Sequence, residues 1–134
     1  MEFVIREYTT YDEQEIVSLY ERVGWRAYTK EPERLKQAFF RSLKIYGAYQ
    51  KKKLAGLIRV VGDGVSVVFI QDLLVDPAAQ GKGIGTALLQ TILQDYQDVY
   101  QIHLVTDHTG KMIRFYQKNG LVKDRDWNGC AFTK

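Results

Sequence analysis

Cysteine is almost missing from this chain. Cys130 stands alone in 134 residues, so no intramolecular disulfide can form, and a reducing, cytoplasmic setting is expected. Histidine is nearly as scarce. His103 and His108 together with Cys130 offer no zinc spacing, so no metal is expected. No apolar run approaches the ~18 residues of a membrane span. The opening MEFVIREYTTYDEQE turns acidic early and lacks a secretory signal's apolar core. A dominant charge is lacking too: 19 Lys+Arg against 16 Asp+Glu leaves +3. That is too mild for a nucleic-acid partner, though it suits a small anionic ligand. No repeat and no Pro/Gly/Ser-rich linker divides the chain, so one domain over 1–134 is expected. What remains is globular in balance, with 46% hydrophobic and 26% charged residues.

The periodicities predict a mixed α/β order. Residues 2–8 read as a strand. Asp12 and Glu15 form a capping box before Ile16, Leu19, Tyr20 and Val23, one face of a helix closed by Gly24. Residues 25–29 read as a connector with two exposed-prone aromatics. Pro32 opens a second helix whose apolar face is Leu35, Ala38, Phe39 and Leu43. Strands follow at 46–50 and 54–61 around Lys51-Lys52-Lys53, and Gly62-Asp63-Gly64 marks a tight turn. The apolar run 65–75, broken by Ser66 and by Gln71-Asp72, suits a central strand covered on both faces. A helix at 83–95, a strand at 100–106 and a helix at 111–119 come next, the last closed by Gly120. Short strands are expected at 121–123 and 129–133. The strand, helix and strand between 65 and 106 form one parallel step.

Glycines 81, 83 and 85 fall between a strand end and a helix start. A helix's first N–H groups lack internal partners, and the dipole is positive there, so glycines that let an anion approach make a phosphate cradle. Lys82 adds charge. The competing reading is a tight turn that merely needs glycine. A P-loop is excluded, because Gly81-Lys82 is followed by Gly83 and no glycine stands five residues before Gly81. A dinucleotide fingerprint is excluded by the G-x-G-x-G spacing and the position past mid-chain.

The stretch Leu73-Leu74-Val75-Asp76-Pro77 with Gln80-Gly81-Lys82-Gly83-Ile84-Gly85 resembles the coenzyme A loop of the GNAT N-acetyltransferase superfamily, Q/R-x-x-G-x-G/A. Arg114-Phe115-Tyr116-Gln117-Lys118-Asn119-Gly120-Leu121 is similar to that family's F-Y-x-K-x-G-F block. Both blocks occur in the family's order and spacing, and the likeness is to small bacterial members. It implies a mixed, centrally splayed β-sheet with helices on both faces. It also implies acetyl transfer from acetyl-CoA, a cosubstrate, to a primary amine, either a small molecule or a lysine-like group. The pyrophosphate would sit on the amides of Gly81, Lys82, Gly83, Ile84, Gly85 and Thr86, with Gln80 beside them. The pantetheine would bond the backbone of Leu73, Leu74 and Val75, next to a bulge.

The chemistry then needs a neutral amine. An alkylamine with a pKa near ~10.4 is neutral only about once in a few thousand molecules at pH 7, roughly 4–5 kcal/mol uphill. Asp72 interrupts the apolar strand and is the first candidate to relieve that proton, directly or through water; a structural carboxylate is the alternative. Where many relatives carry Glu this chain has Gln71, which is no base. Asp107 and His108 are weaker candidates. The resemblance makes Tyr116 the acid for the departing thiolate, the alternative being a core aromatic beside Met112 and Ile113. Thr109 and Met112 replace the Asn and Ala of many relatives. Trp25 and Tyr28 suggest an acceptor with an apolar or aromatic body, solvent-side packing serving equally well as explanation. A homodimer is left open, and a non-catalytic acyl-CoA sensor on the same fold is the rival reading.

Overall fold

The computed structural model describes residues 2–134. Its contacts divide the chain into two compact units, residues 1–104 and 105–134. In the first unit, β1 (Val4–Glu7) leads to helix α1 (Glu13–Val23), a one-turn helix α2 (Arg26–Thr29) and helix α3 (Pro32–Phe40). The Asp12 carboxylate caps α1 by accepting from the Glu15 amide at 3.2 Å, and Gly24 closes it in the left-handed region at φ 87°. The connector expected at 25–29 is therefore helical over its last four residues. Trp25 and Tyr28 pack against the core rather than standing free.

Strands β2 (Lys44–Gln50), β3 (Lys53–Gly62) and β4 (Val67–Val75) follow, then α4 (Ile84–Asp95) and β5 (Gln101–Leu104). They form one sheet in the order β1-β2-β3-β4-β5. The first three pairings are antiparallel and β4–β5 is parallel, which is the predicted crossover. The sheet is thus mixed and five-stranded. Directly paired residues share a face, so the register sorts the side chains. Ile45, Leu57 and Leu74 join the cluster of Ile16, Leu19, Tyr20, Leu35 and Phe39 from α1 and α3. On the opposite face Gly56 lies under Ile84 and Leu88 of α4, where an added Cβ would come within 2.9 Å of Ile84. That glycine lets α4 lie close to the sheet.

One expectation shifts between strands. Continuous burial belongs to β3, whose residues 54–60 are all buried, while β4 alternates buried with half-buried or exposed positions. Having β2 and β4 as neighbours and helices on both faces leaves β3 no wet side.

In the second unit, α5 (Gly110–Lys118) is capped by the Thr109 hydroxyl accepting from the Met112 amide, and Gly120 turns left-handed after it. A 3₁₀ turn spans Asp124–Trp127. The strands expected at 121–123 and 129–133 do not form. Val122 and Phe132 are exposed, and a strand without a neighbour to complete its ladder gains nothing over irregular chain.

Candidate active site

The site in the first unit begins at a β-bulge. Arg59 pairs with Asp72 and Val60 with Ile70, so Gln71 is the extra residue of β4. The insertion reverses the strand's facing. Ile70 shares the face of Val60, while Asp72, two residues on, shares the opposite face with Arg59. Without it, Asp72 would lie on the α4 side.

The bulge places Asp72 in a buried polar cluster. Arg59 Nε donates to Asp72 Oδ2 at 2.8 Å, and both side chains are almost fully buried. The Tyr20 hydroxyl donates to the same oxygen at 2.8 Å. The Tyr28 hydroxyl donates to Asp72 Oδ1 at 3.0 Å. Arg59 also reaches the Ser42 hydroxyl through Nη1 at 3.2 Å. Burial, then the carboxylate's charge, pushes the Tyr20 phenol far above its usual range, and burial raises Tyr28 as well. For Arg59, burial pulls downward, but the Asp72 carboxylate together with Tyr20 and Tyr28 makes the net shift upward. The two phenols and the guanidinium thus keep their protons, and all three donate to Asp72. This geometry argues against Asp72 as a direct base, because its oxygens are engaged and shielded from solvent. Sequence reasoning missed Arg59 and treated Tyr20 as plain core. The available clue was a lone Arg inside the apolar strand 54–61, mirrored across the Gly62-Asp63-Gly64 turn by a lone Asp.

Beyond the bulge, β4 loses its neighbour. Its pairing with β5 covers only residues 67–70, and over residues 71–75 no strand among the described residues adds to that edge. The Asp76 amide donates toward β3, to the Ala55 carbonyl at 2.8 Å. Alternation along a strand then turns the backbone groups of Leu73 and Val75 away from β3, while Leu74 faces it. The Val75 carbonyl accepts from Gln80 Nε2 at 3.2 Å, so Gln80 braces the turn that follows. Asp76 fixes that turn: its carboxylate accepts from the Ala78 amide at 3.0 Å and from Arg22 Nε at 2.7 Å. Although burial works against its charge, these bonds leave its carboxyl below the usual range.

Gly81 and Gly83 then adopt φ of 79° and 88°. A Cβ at either would meet nothing within 4 Å, so positive φ, not crowding, demands glycine there. Gly83 is the N-cap of α4 and provides no side-chain bond, so the amides of Ile84, Gly85 and Thr86 start the helix uncapped. The Ile84 side chain is buried under the sheet, so only its backbone belongs to this cradle. Lys82 is exposed beside it. Glycines that strain only against L side chains, followed by uncapped amides at a positive helix end, fit a pyrophosphate.

Trp25 and Tyr28 are half-buried, their ring centroids 6.3 Å apart. A groove of about 550 Å³ opens at the end of α1, lined by Ser18, Glu21, Arg22, Arg26, Thr29 and Lys30. The two aromatics are not among its walls.

In the second unit, Tyr116 lies on α5 against Phe115, ring centroids 5.0 Å apart and nearly perpendicular. Its hydroxyl has no hydrogen-bond partner among the described residues, and burial raises its pKa above 10.0. Asp107 and His108 stand exposed in the segment before α5.

These features define an α/β protein with an open glycine turn and an uncapped helix start beside an unpaired strand edge. Residues 7–121 match the model of the acetyltransferase (GNAT) family. An uncharacterized ycf52-like N-acetyltransferase of Prochlorococcus marinus is 32% identical over 97% of this chain and 73% of its own. Two plant relatives are longer still, the chain spanning 29% and 53% of them. Among solved structures, a GNAT-family acetyltransferase of Streptococcus pneumoniae superposes with a TM-score of 0.90 at 34% identity, over 99% of this chain and 97% of that one. The PaiA N-acetyltransferase of Thermoplasma acidophilum, solved in complex with coenzyme A, shares the fold at a TM-score of 0.76 and 21% identity, covering 92% of each chain. The chain belongs to the GNAT acetyltransferase family.

Proposed function

We propose that this chain moves an acetyl group from acetyl-CoA to a primary amine by direct attack within a ternary complex. The observation that carries the reading is the unpaired stretch of β4 running straight into the open glycine turn and the uncapped start of α4. A pantetheine amide can bond the outward backbone groups of Leu73 and the outward amide of Val75, whose carbonyl Gln80 already holds, while the pyrophosphate takes the amides of residues 81–86.

In the reaction the amine nitrogen bonds to the thioester carbonyl carbon and the C–S bond breaks. An outward N–H on β4 stabilises the carbonyl oxygen as it gains charge. Tyr116 gives its proton to the leaving thiolate and recovers one from solvent. The phenol is protonated at neutral pH, the state an acid requires, with burial shifting its pKa further upward. The amine's proton passes to solvent water at the site, while Asp72 contributes by holding Tyr28 and the bulge.

The test is thiol release from acetyl-CoA across a panel of phenethylamine, tryptamine, spermidine and Nα-acetyl-lysine, run beside calorimetry with CoA. Release that depends on an amine supports the transferase. Binding of CoA without release under any amine favours the sensor reading.

A further inference from the structure

The polar cluster around Asp72 has one member that reaches the surface. Arg59, Asp72 and Tyr20 are buried, whereas Tyr28 is only half-buried. Its hydroxyl also lies 3.4 Å from Nε2 of Gln71, the exposed bulge residue. A phenol has one proton to donate and can also accept at its oxygen. The proton of Tyr28 is committed to Asp72 Oδ1. Asp72 meets that hydroxyl only as an acceptor, its other oxygen accepting from Arg59 and Tyr20. What the Tyr28 oxygen has left to offer is therefore acceptance only, and the long 3.4 Å approach of the exposed Gln71 amide is the contact that meets it.

We propose that Tyr28 Oη is a dedicated hydrogen-bond acceptor that binds the N–H of the primary amine and orients its nitrogen lone pair toward the thioester. This rests on the acetyl-transfer reading and gives one of its two acceptor-side aromatics a defined job. Three features of the cluster suit the task. The Arg59–Asp72 pair prevents the hydroxyl from rotating to donate. Edge-on packing of Tyr20 against the Tyr28 ring, centroids 5.3 Å apart, holds the ring in place. Gln71, being an amide, donates to the phenol oxygen without competing for the amine's charge. The arrangement selects ligands with an N–H to give and discriminates against those that offer only acceptors.

The experiment compares Tyr28→Phe with Tyr20→Phe. Each removes one donor to Asp72, but Tyr20 is wholly buried and faces no ligand. With the amine of the panel that the wild type turns over fastest, Tyr28→Phe should lower kcat/KM for the amine at least about tenfold, leaving the KM for acetyl-CoA unchanged. Tyr20→Phe should leave the amine KM within about twofold. Equal losses in both variants would mean that the effect passes through Asp72 and not through contact, overturning the proposal. So would an amine kcat/KM that survives Tyr28→Phe. A measurement on the wild type needs no variant to fold. The alcohol isostere of the amine, which can donate, should inhibit competitively at least about tenfold better than its methyl ether, which cannot. Equal inhibition overturns the proposal. Thiol release by the wild type with an unaffected Tyr28→Phe variant removes this proposal alone. Absence of release with every amine removes the transferase reading together with it.

Discussion

Arg59 Nε lies 2.8 Å from Asp72 Oδ2, and the two residues face each other across β3 and β4 only because Gln71 bulges out of the second strand. The contact ties the sheet's interior to the edge where the acetyl donor is proposed to bind. Both ends are buried, so neither charge tolerates the loss of the other. Asp72→Leu alone should destabilise the fold by about 3–5 kcal/mol in urea unfolding. Adding Arg59→Met should recover more than half of that loss, since the stranded charge is gone. Recovery stays incomplete because the Tyr20 hydroxyl, buried and bonded to Asp72, is left without a partner. Additive losses in the double variant would contradict the pairing.

Tyr116→Phe removes one hydroxyl and little packing area. The fold and the CoA affinity should hold, while acetyl transfer falls by roughly 10²–10⁴. Donors with a better thiol leaving group should lose less. The sign of the pH effect follows from the upward shift. The active acid is the protonated phenol, and burial keeps it protonated past its ordinary pKa of 10.0, so any alkaline loss due to Tyr116 lies above that value. A rate within a few fold of wild type, with chemistry limiting, would leave Tyr116 as packing only.

Asp63 predicts a stability effect away from the site. Its carboxylate accepts from the Ser66 hydroxyl and from the amides of Val65, Val67 and Ser66, and these bonds lower its pKa far below the ordinary 3.8. A carboxyl whose folded pKa is depressed stabilises the fold above its unfolded pKa and loses that contribution as pH falls. The urea midpoint of the wild type should therefore drop below about pH 4, and less steeply in Asp63→Asn. Identical acid limbs would show that the turn does not depend on that charge.

Much of this was legible in the chain because it is local. The Asp12 cap, the Gly24 stop and the G-x-G-x-G turn need only neighbours within a few residues. The bulge was expected beside Asp72 from family likeness, and the register puts it at Gln71. What escaped depends on distant pairing. Arg59 and Tyr20 meet Asp72 from separate elements, and the face on which Asp72 lands is set by one extra residue that periodicity does not reveal. The terminal strands failed for a related reason. Residues 121–123 and 129–133 have a strand-like pattern, but a pattern does not supply the neighbouring strand. Burial of β3 in place of β4 likewise followed from position in the sheet, with Val68 and Ile70 of β4 alternating with half-buried neighbours.

The central claim is that the glycine turn at residues 81–86 holds the pyrophosphate of CoA, and titration calorimetry of CoA into wild type and Gly83→Val tests it most directly. Gly83 sits at φ 88° with nothing within 4 Å of an added Cβ, so the variant strains the backbone by about 1–2 kcal/mol without colliding with the fold. The account predicts that wild type binds CoA and that the folded variant binds at least about tenfold more weakly, its side chain standing where the phosphates must approach. Equal affinity in the two proteins, or no CoA binding by the wild type, would contradict it.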